Sequence, residues 1–337
     1  MDLRQLEYFV ALADAGTISS AASRIGIAQP SLSEALAKLE HQLDVQLVLR
    51  GARGTQLTEA GAVLAKYGRE ILKNIDATLE KVRHEGGDAR GLVAIGLPHC
   101  IATGLTVPLA ETVQVELPLV KLRISEGGAG HLLEWLASGK IDFAILYYGF
   151  DNTDFDVQPL LEEELFLVSA VDNWPPADKR TGLGQSIEFK DLKEIPLVLP
   201  SPLQCPLIDQ LARSNSIQLD IKVEMDSLQQ IAVMVSRASA YTILSHAAAI
   251  DYVATQQLLL VPIVNPGIRL TAHIVRKRNR PVTRASLSVQ RLIPVILKEM
   301  ITRHGLNARL VDCALAEGTT VMIGLPAPVR CPGPCRK

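Results

Sequence analysis

Aromatic residues are scarce: 2 Trp, 6 Tyr and 6 Phe in 337 residues. That is too few for the base-stacking sheet that grips single strands. Cysteine is sparse and odd in number, five over the whole chain, which argues against a disulfide framework and for a reducing compartment. Neither sign of charge dominates. Lys+Arg number 34 against 36 Asp+Glu, a formal net charge of -2, which leaves room for a nucleic-acid partner because a small basic patch fits inside a neutral total. No export signal is legible, since Met1–Gly16 carries Asp2, Arg4, Glu7 and Asp14. The stretch Gly91–Ala110 lacks Asp, Glu, Lys and Arg, but it holds Pro98, His99 and Pro108. It reads as a buried strand, turn and helix, not a lipid-exposed span. A soluble cytoplasmic protein without a membrane partner is expected.

Catalytic and metal signatures are missing too. There is no G-x-S-x-G, P-loop or H-E-x-x-H. Gly182-Leu-Gly184 stands in a polar loop, not after a strand, and Cys331 and Cys335 bracket Pro-Gly-Pro with no histidine nearby. The reading therefore expects no enzyme, no catalytic residue, no metal and no cofactor.

What is present is organisation. Apolar residues make up 48% of the chain, enough for large cores. Residues 1–58 are dense in short helical patterns, and 59–90 hold one long periodic segment ending in the Gly-rich run Glu85–Gly91. From Leu92 onward, strand-like runs (Leu92–Leu97, Val120–Ile124, Phe143–Leu146, Leu165–Ala170, Leu197–Leu199, Thr242–Leu244, Leu258–Val261) alternate with helical ones (His131–Ala137, Ile208–Ser214, Leu228–Arg237). Such alternation predicts an α/β domain, large enough over 91–304 for two lobes. Residues 305–337 end in a proline-rich stretch and are expected to form a poorly ordered tail.

In the first unit, Leu3, Leu6, Phe9, Val10 and Ala13 recur at helical spacing up to Gly16. A second short helix spans Thr17–Arg24, Gly26 allows a tight turn, and a third helix opens at Gln29-Pro30-Ser31. Two short helices joined by a Gly turn form a helix-turn-helix, in which the N-terminal residues of the second helix meet base edges. The candidates are Gln29, Pro30, Ser31, Ser33, Glu34 and Lys38, with Gln29 suited to adenine and Glu34 to cytosine. Arg50 and Arg53 flank a glycine-rich tip that looks like a wing suited to phosphate or the minor groove. The same spacing also fits a small helical dimerisation module with a surface loop. After Thr58, the positions Ala60, Leu64, Tyr67, Ile71, Ile75, Leu79 and Val82 form one stripe near the helical period. That stripe belongs either to a partner helix or to the helix's own domain.

The runs Leu3-Arg-Gln-Leu-Glu-Tyr-Phe-Val10, Ala21-Ala22, Ala28-Gln-Pro-Ser-Leu-Ser33, Leu39-Glu40 and Leu57-Thr-Glu-Ala-Gly61, with Leu43, Val45, Leu47, Arg50 and Arg53-Gly54 between the last two, closely resemble LysR-type transcriptional regulators. Glu34 stands where that family commonly has Arg or Gln, and Val48 where it usually has an aromatic residue. The resemblance implies an N-terminal winged helix-turn-helix (1–58), a dimerisation helix and hinge (59–90), and a two-lobed effector domain similar to periplasmic binding proteins. Lobe I would comprise 91–163 and 269–304, and lobe II 164–268. It implies a double-stranded operator, a small-molecule co-inducer, a homodimer or dimer-of-dimers tetramer, and RNA polymerase as a further partner. The lobe crossing and Phe143–Tyr148 resemble the nitrogen assimilation control and sulfur-regulating branch.

Effector candidates follow from strand ends and helix N-termini, which favour anions. They are His99, Cys100 and Thr103 after the first strand, Gly128 and Gly130 after the second, Tyr147 and Tyr148 after the third, and Ser201 and Pro202 in lobe II. A small carboxylate or other oxyanion is the expected ligand. Each has a plainer alternative in turn chemistry. For the whole chain, a solute receptor and an enzyme on a two-lobed scaffold are the competing readings. The missing signal peptide and the missing nucleophile–base pair weigh against them in turn.

Overall fold

The structure is a computed structural model and describes residues 1–51, 54–82, 88–148, 150, 153–173, 180–181, 186–200 and 206–311. The first unit comprises α1 (Leu3–Ala15), α2 (Ile18–Ile25), α3 (Gln29–Leu43), β1 (Val48–Gly51) and β2 (Gly54–Leu57). Asp2 and Gln5 form a reciprocal capping box on α1, and Thr17 caps α2. Gly16 and Gly26 both end their helices at φ +72°, where a side chain would be strained. Leu32, Leu36 and Leu39 bury α3 against Phe9, Leu12, Ala21 and Ala22, and Val48 joins this core. The wing is tied down twice: the Glu40 carboxylate accepts from the Leu47 and Val48 amides at 2.7 and 3.1 Å, and Thr55 N donates to Gly16 O.

Helix α4 (Glu59–Val82) follows. Thr58 starts it by accepting from Gly61 N at 3.0 Å while donating to Gln46 O. At Gly61 an added Cβ would lie 2.0 Å from Leu47 O, so only glycine lets the helix leave the wing at this angle. The first turns pack on the DNA-type core through Ala60, Leu64 and Ala65. Beyond them Tyr67, Ile71 and Leu79 stand exposed on one face.

The second unit is built on β3 (Gly91–Leu97), α5 (His99–Glu116), β4 (Val120–Glu126), α6 (Ala129–Ala137), β5 (Phe143–Leu146) and β6 (Phe155–Ala170). Next come β7 (Arg180–Thr181), β8 (Ser186–Glu188), a 3₁₀ turn at Phe189–Glu194, β9 (Leu197–Leu199), α7 (Pro206–Ser214), β10 (Ile221–Glu224) and α8 (Leu228–Ser236). Last are β11 (Thr242–Ser245), α9 (His246–Ala254), β12 (Leu258–Val264), β13 (Ile268–Lys277), α10 (Arg284–His304) and β14 (Ala308–Leu310). One sheet runs β4-β3-β5-β13-β6-β12-β8-β7, with parallel pairing in β4-β3-β5.

Long antiparallel β6 and β13 serve both halves. Leu160 and Leu161 sit in one core with α5 and α10, while Leu165 and Leu167 sit in another with β9 and the 3₁₀ turn. The β6–β13 ladder has one irregularity, between Ala272 and His273, opposite Leu161 and Pro159.

One expectation needs correction. The segment from 305 does not begin as a tail, because β14 pairs with Glu163, Glu162 and Leu161 of β6, and Asn307 N donates to His246 Nδ1 at 3.0 Å. Apolar Leu306 and Leu310, not the prolines further on, decide this stretch. Residues 312–337 lie outside the described residues, as do residues 83–87, which include the first three of the Gly-rich run, and the 182–184 loop. Among the described residues no helix is long and apolar enough to cross a membrane.

Candidate DNA-reading face and effector cleft

Gln29, Pro30, Ser31, Glu34 and Lys38 are exposed along α3, and Ser33 is half-buried. Ala28 closes the N-terminus without a side-chain hydrogen bond, so backbone N–H groups there remain available to a phosphate. Glu34 and Lys38 form an i,i+4 ion pair at 2.7 Å, and this hydrogen bond and charge hold the Glu34 carboxyl below its usual range. Arg50 lies on β1 opposite Thr55, in the strand leading to the wing tip. Arg53 at that tip lies outside the described residues.

Between the two halves of the second unit lies a cleft lined from both, about 750 Å³ with the solvent-open space at its mouth included. Strands β3, β4 and β5 deliver Cys100, Gly128 and Tyr147 to it at their carboxyl ends, the place where parallel α/β sheets collect ligands. His99 and Tyr148 line it as well, with Leu165, Leu228, Ile243, Ser245 and Leu270 on the other side. The N-termini of α5 and α6 open here with Pro98 and Gly128 as caps, neither offering a side-chain hydrogen bond. His99 and Leu228 also border a second, more polar cavity of about 1190 Å³. That cavity collects Thr103, Glu126, Asp226, Asp251 and Tyr252.

Thr103 therefore stands one compartment away from Cys100, its hydroxyl donating back to His99 O at 3.0 Å. Gly130, the second residue of α6, does not line either cavity. Ser201 and Pro202 lie outside the described residues, although Pro200 before them reaches the cavity wall.

Beneath the wall lies a group that sequence reasoning passed over. Glu163 is 1% exposed, and the Tyr147 hydroxyl donates to its Oε2. Burial pushes its pKa up, and hydrogen bonds from Tyr147 and Ser245 offset part of that. Tyr147 is itself pushed well up, first by burial and then by Cys100 and Glu163 beside it. The run Glu162-Glu163-Glu164 held the signal. Alternation along β6 sends Glu162 and Glu164 outward to Arg309 and Arg269, and Glu163 inward. The resemblance puts the cleft near Ser245 and His246 without assigning either to the ligand, and Ser245 does line it. Before this strand, in Arg237–Tyr241, Ala238 takes the left-handed conformation at φ +57°.

A third cluster joins the two units. Arg69 of α4 donates to Asp14 Oδ1 at 2.7 and 3.1 Å and to Ser138 O at 3.2 Å. Arg280 donates to Glu70 Oε1 at 2.9 Å and to Leu136 O at 2.8 Å. Lys73 pairs with Asp142, whose other oxygen accepts from Ala94 N at 2.7 Å. Arg123 reaches both Asp14 and Lys140 O. Of the nine Lys/Arg in 269–303, five hold carboxylates: Arg269, Lys277, Arg278, Arg280 and Arg303. Much of that basic run is therefore internal pairing.

Comparison with known proteins agrees with this arrangement. Residues 3–62 match the bacterial regulatory helix-turn-helix of the lysR family, and residues 86–299 match the LysR substrate binding domain. The nitrogen assimilation regulatory protein nac of Klebsiella aerogenes is 31% identical over 92% of this chain and 98% of its own. OxyR, the DNA-binding transcriptional dual regulator of Escherichia coli, is 27% identical over 84% of this chain and 91% of its own. A full-length OxyR variant from Pseudomonas aeruginosa superposes with a TM-score of 0.69 at 24% identity, over 90% of this chain and 95% of that one. CbnR in complex with its target DNA gives a TM-score of 0.59 at 19% identity, over 86% of this chain and 97% of that one, a likeness of fold. The chain belongs to the LysR family of DNA-binding transcriptional regulators and carries, after its helix-turn-helix, the effector-binding domain of that family.

Proposed function

We propose that α3 reads the major groove of an operator through Gln29, Ser31 and Ser33, with the Glu34–Lys38 ion pair beside them setting its contact with the phosphates, while Pro30 fixes the helix start. Arg50 and Arg53 would hold the flanking backbone from the wing. The supporting observation is that α3 presents this polar row with an unsatisfied N-terminus, beside a wing anchored by Glu40. The second copy needed for a two-fold operator would pair along Tyr67, Ile71, Ile75 and Leu79 of α4. Their face is the apolar one that the chain leaves uncovered, whereas Arg69, Glu70 and Lys73 on the opposite face are occupied.

The cavity between the lobes is proposed as the effector site. Its walls favour a different ligand from the oxyanion expected above. No Lys or Arg lines either compartment among the described residues, and Glu126, Asp226 and Asp251 ring the outer one. A largely apolar ligand, neutral or carrying a cation toward that rim, fits this lining. Cytoplasmic action on promoters follows from the family. Recovering DNA bound to the full-length protein tests the reading: enrichment of a two-fold symmetric site supports it, and absence of any preferred sequence overturns it. Paired probes of matched shape, benzylamine and benzoate, test the lining. A rise in Tm with benzoate alone would restore the oxyanion.

A further inference from the structure

We infer that the C-terminal turn of α6 is an electrostatic latch that holds the DNA-binding unit against lobe I, and that occupancy of the cleft works it from the helix's other end. The inference rests on the reading of the cleft as the effector site. Its own support is geometric. Helix α6 has nine residues, roughly 13 Å of rod. Its first turn, at Gly128 and Ala129, lines the cavity. Its last turn and the residues after it, 136–142, present three carbonyls and one carboxylate to the cluster around α4.

Those contacts come from three directions. Leu136 O accepts from Arg280, Ser138 O from Arg69, and Lys140 O from Arg123, while Asp142 binds Lys73. Arg69 and Arg123 also hold Asp14, at the end of α1 in the DNA-binding unit, and Arg280 holds Glu70. The groups are largely out of water: the Arg280 side chain is 6% exposed and that of Arg69 10%. Charges so buried are weakly screened, and removing one partner leaves the other unpaired. The Arg280 guanidinium also lies over Gly139, where a Cβ would come within 3.0 Å and where φ is +73°. A displacement of α6 of an ångström or so therefore lengthens several charge-assisted hydrogen bonds together. A packed cluster of this kind has discrete arrangements and does not slide continuously.

The test uses the full-length chain, with spectroscopic labels introduced as unnatural amino acids at exposed Ser23 of α2 and Lys298 of α10, diluted with unlabelled copies. The wild type is expected to give a narrow distance distribution. Glu70→Arg with Lys73→Glu reverses the α4 side and should broaden it; an unchanged distribution overturns the latch. Glu70→Arg with Arg280→Glu re-forms one pair and should narrow it again, which separates latch loss from misfolding. Failure of that pair to narrow a distribution broadened by reversal also counts against the latch.

Gly128→Phe tests transmission without a ligand, since the residue lines the cleft and nothing lies within 4 Å of an added Cβ there. It should shift the mean distance and change operator affinity at least five-fold in the otherwise wild-type chain. In the reversed variant it should do neither. The same shift in both backgrounds, or in neither, overturns the link between cleft and latch. Gel retardation by the unmodified protein is read separately. Loss of operator binding there sinks the regulator reading while the label distances still decide the latch.

Discussion

Glu163 and Ala238 each have a chemistry that runs against their surroundings. Glu163 keeps its proton more tightly in the folded chain than unfolded, because burial raises its pKa. The folded state then binds more protons once pH passes the unfolded value of about 4.3, so stability falls as pH rises from there toward the folded pKa. Glu163→Gln removes that slope and keeps an acceptor for Tyr147. The Tm of the variant relative to wild type is expected to become more favourable between pH 5 and pH 8 in a thermal melt series. A difference independent of pH would mean the carboxyl is already ionised at pH 5. Ala238 has a side chain in left-handed backbone, at a cost of about 1–2 kcal/mol. Glycine would relieve this but lose about 0.4–1 kcal/mol through its freer unfolded state. Ala238→Gly is therefore expected to stabilise by up to about 1.6 kcal/mol, read as a higher urea midpoint with an unchanged slope.

At the scale of elements, α3 carries the sharpest expectation. Glu34 is tied to Lys38, so Glu34→Gln should release Lys38 to a phosphate, tighten binding to all sequences and raise the salt slope by about one. A change of preference at one base pair, without general tightening, would give Glu34 to base readout. The helix-turn-helix was legible because its determinants are local: Gly26, the Pro30 start and the Leu32–Leu36 spacing act within a few residues. Seven strands of the α/β unit were legible at least in part from apolar runs for the same reason, whereas β13 and the first half of β6, with charged and polar residues among the apolar ones, were not. The cleft was only half legible. His99, Cys100, Gly128 and Tyr147 follow strand ends directly, whereas Ser245 and Leu270 reach it through long-range pairing of β11 and β13 with β6, and Leu228 through the packing of α8 on the second half. The cluster around Arg69 and Arg280 joins positions more than 60 residues apart, and no local pattern announces it.

On the scale of the molecule, the opposite faces of α4 divide two duties. One faces lobe I with charge, and the other leaves Tyr67, Ile71 and Leu79 in water. Ile71→Glu is expected to convert the assembly to monomers in sedimentation and to weaken operator binding at least ten-fold, with the thermal unfolding of the effector unit retained. An unchanged mass would move the pairing surface elsewhere.

The β6–β13 ladder has a consequence for how the cleft changes shape. Its strands pair from Phe155–Lys277 to Leu165–Ile268, and the one irregularity in their register falls at Leu160, between Pro159 and Leu161. Lobes joined by such a ribbon do not swing apart as a door does on its pin. They turn about the ribbon's long axis as a torsion bar turns, the twist taken up by the stretch of β6 between Leu161 in the first core and Leu165 in the second. A ligand gripping both walls would thus be felt as a twist, and the side chains of residues 162–164 would set its stiffness.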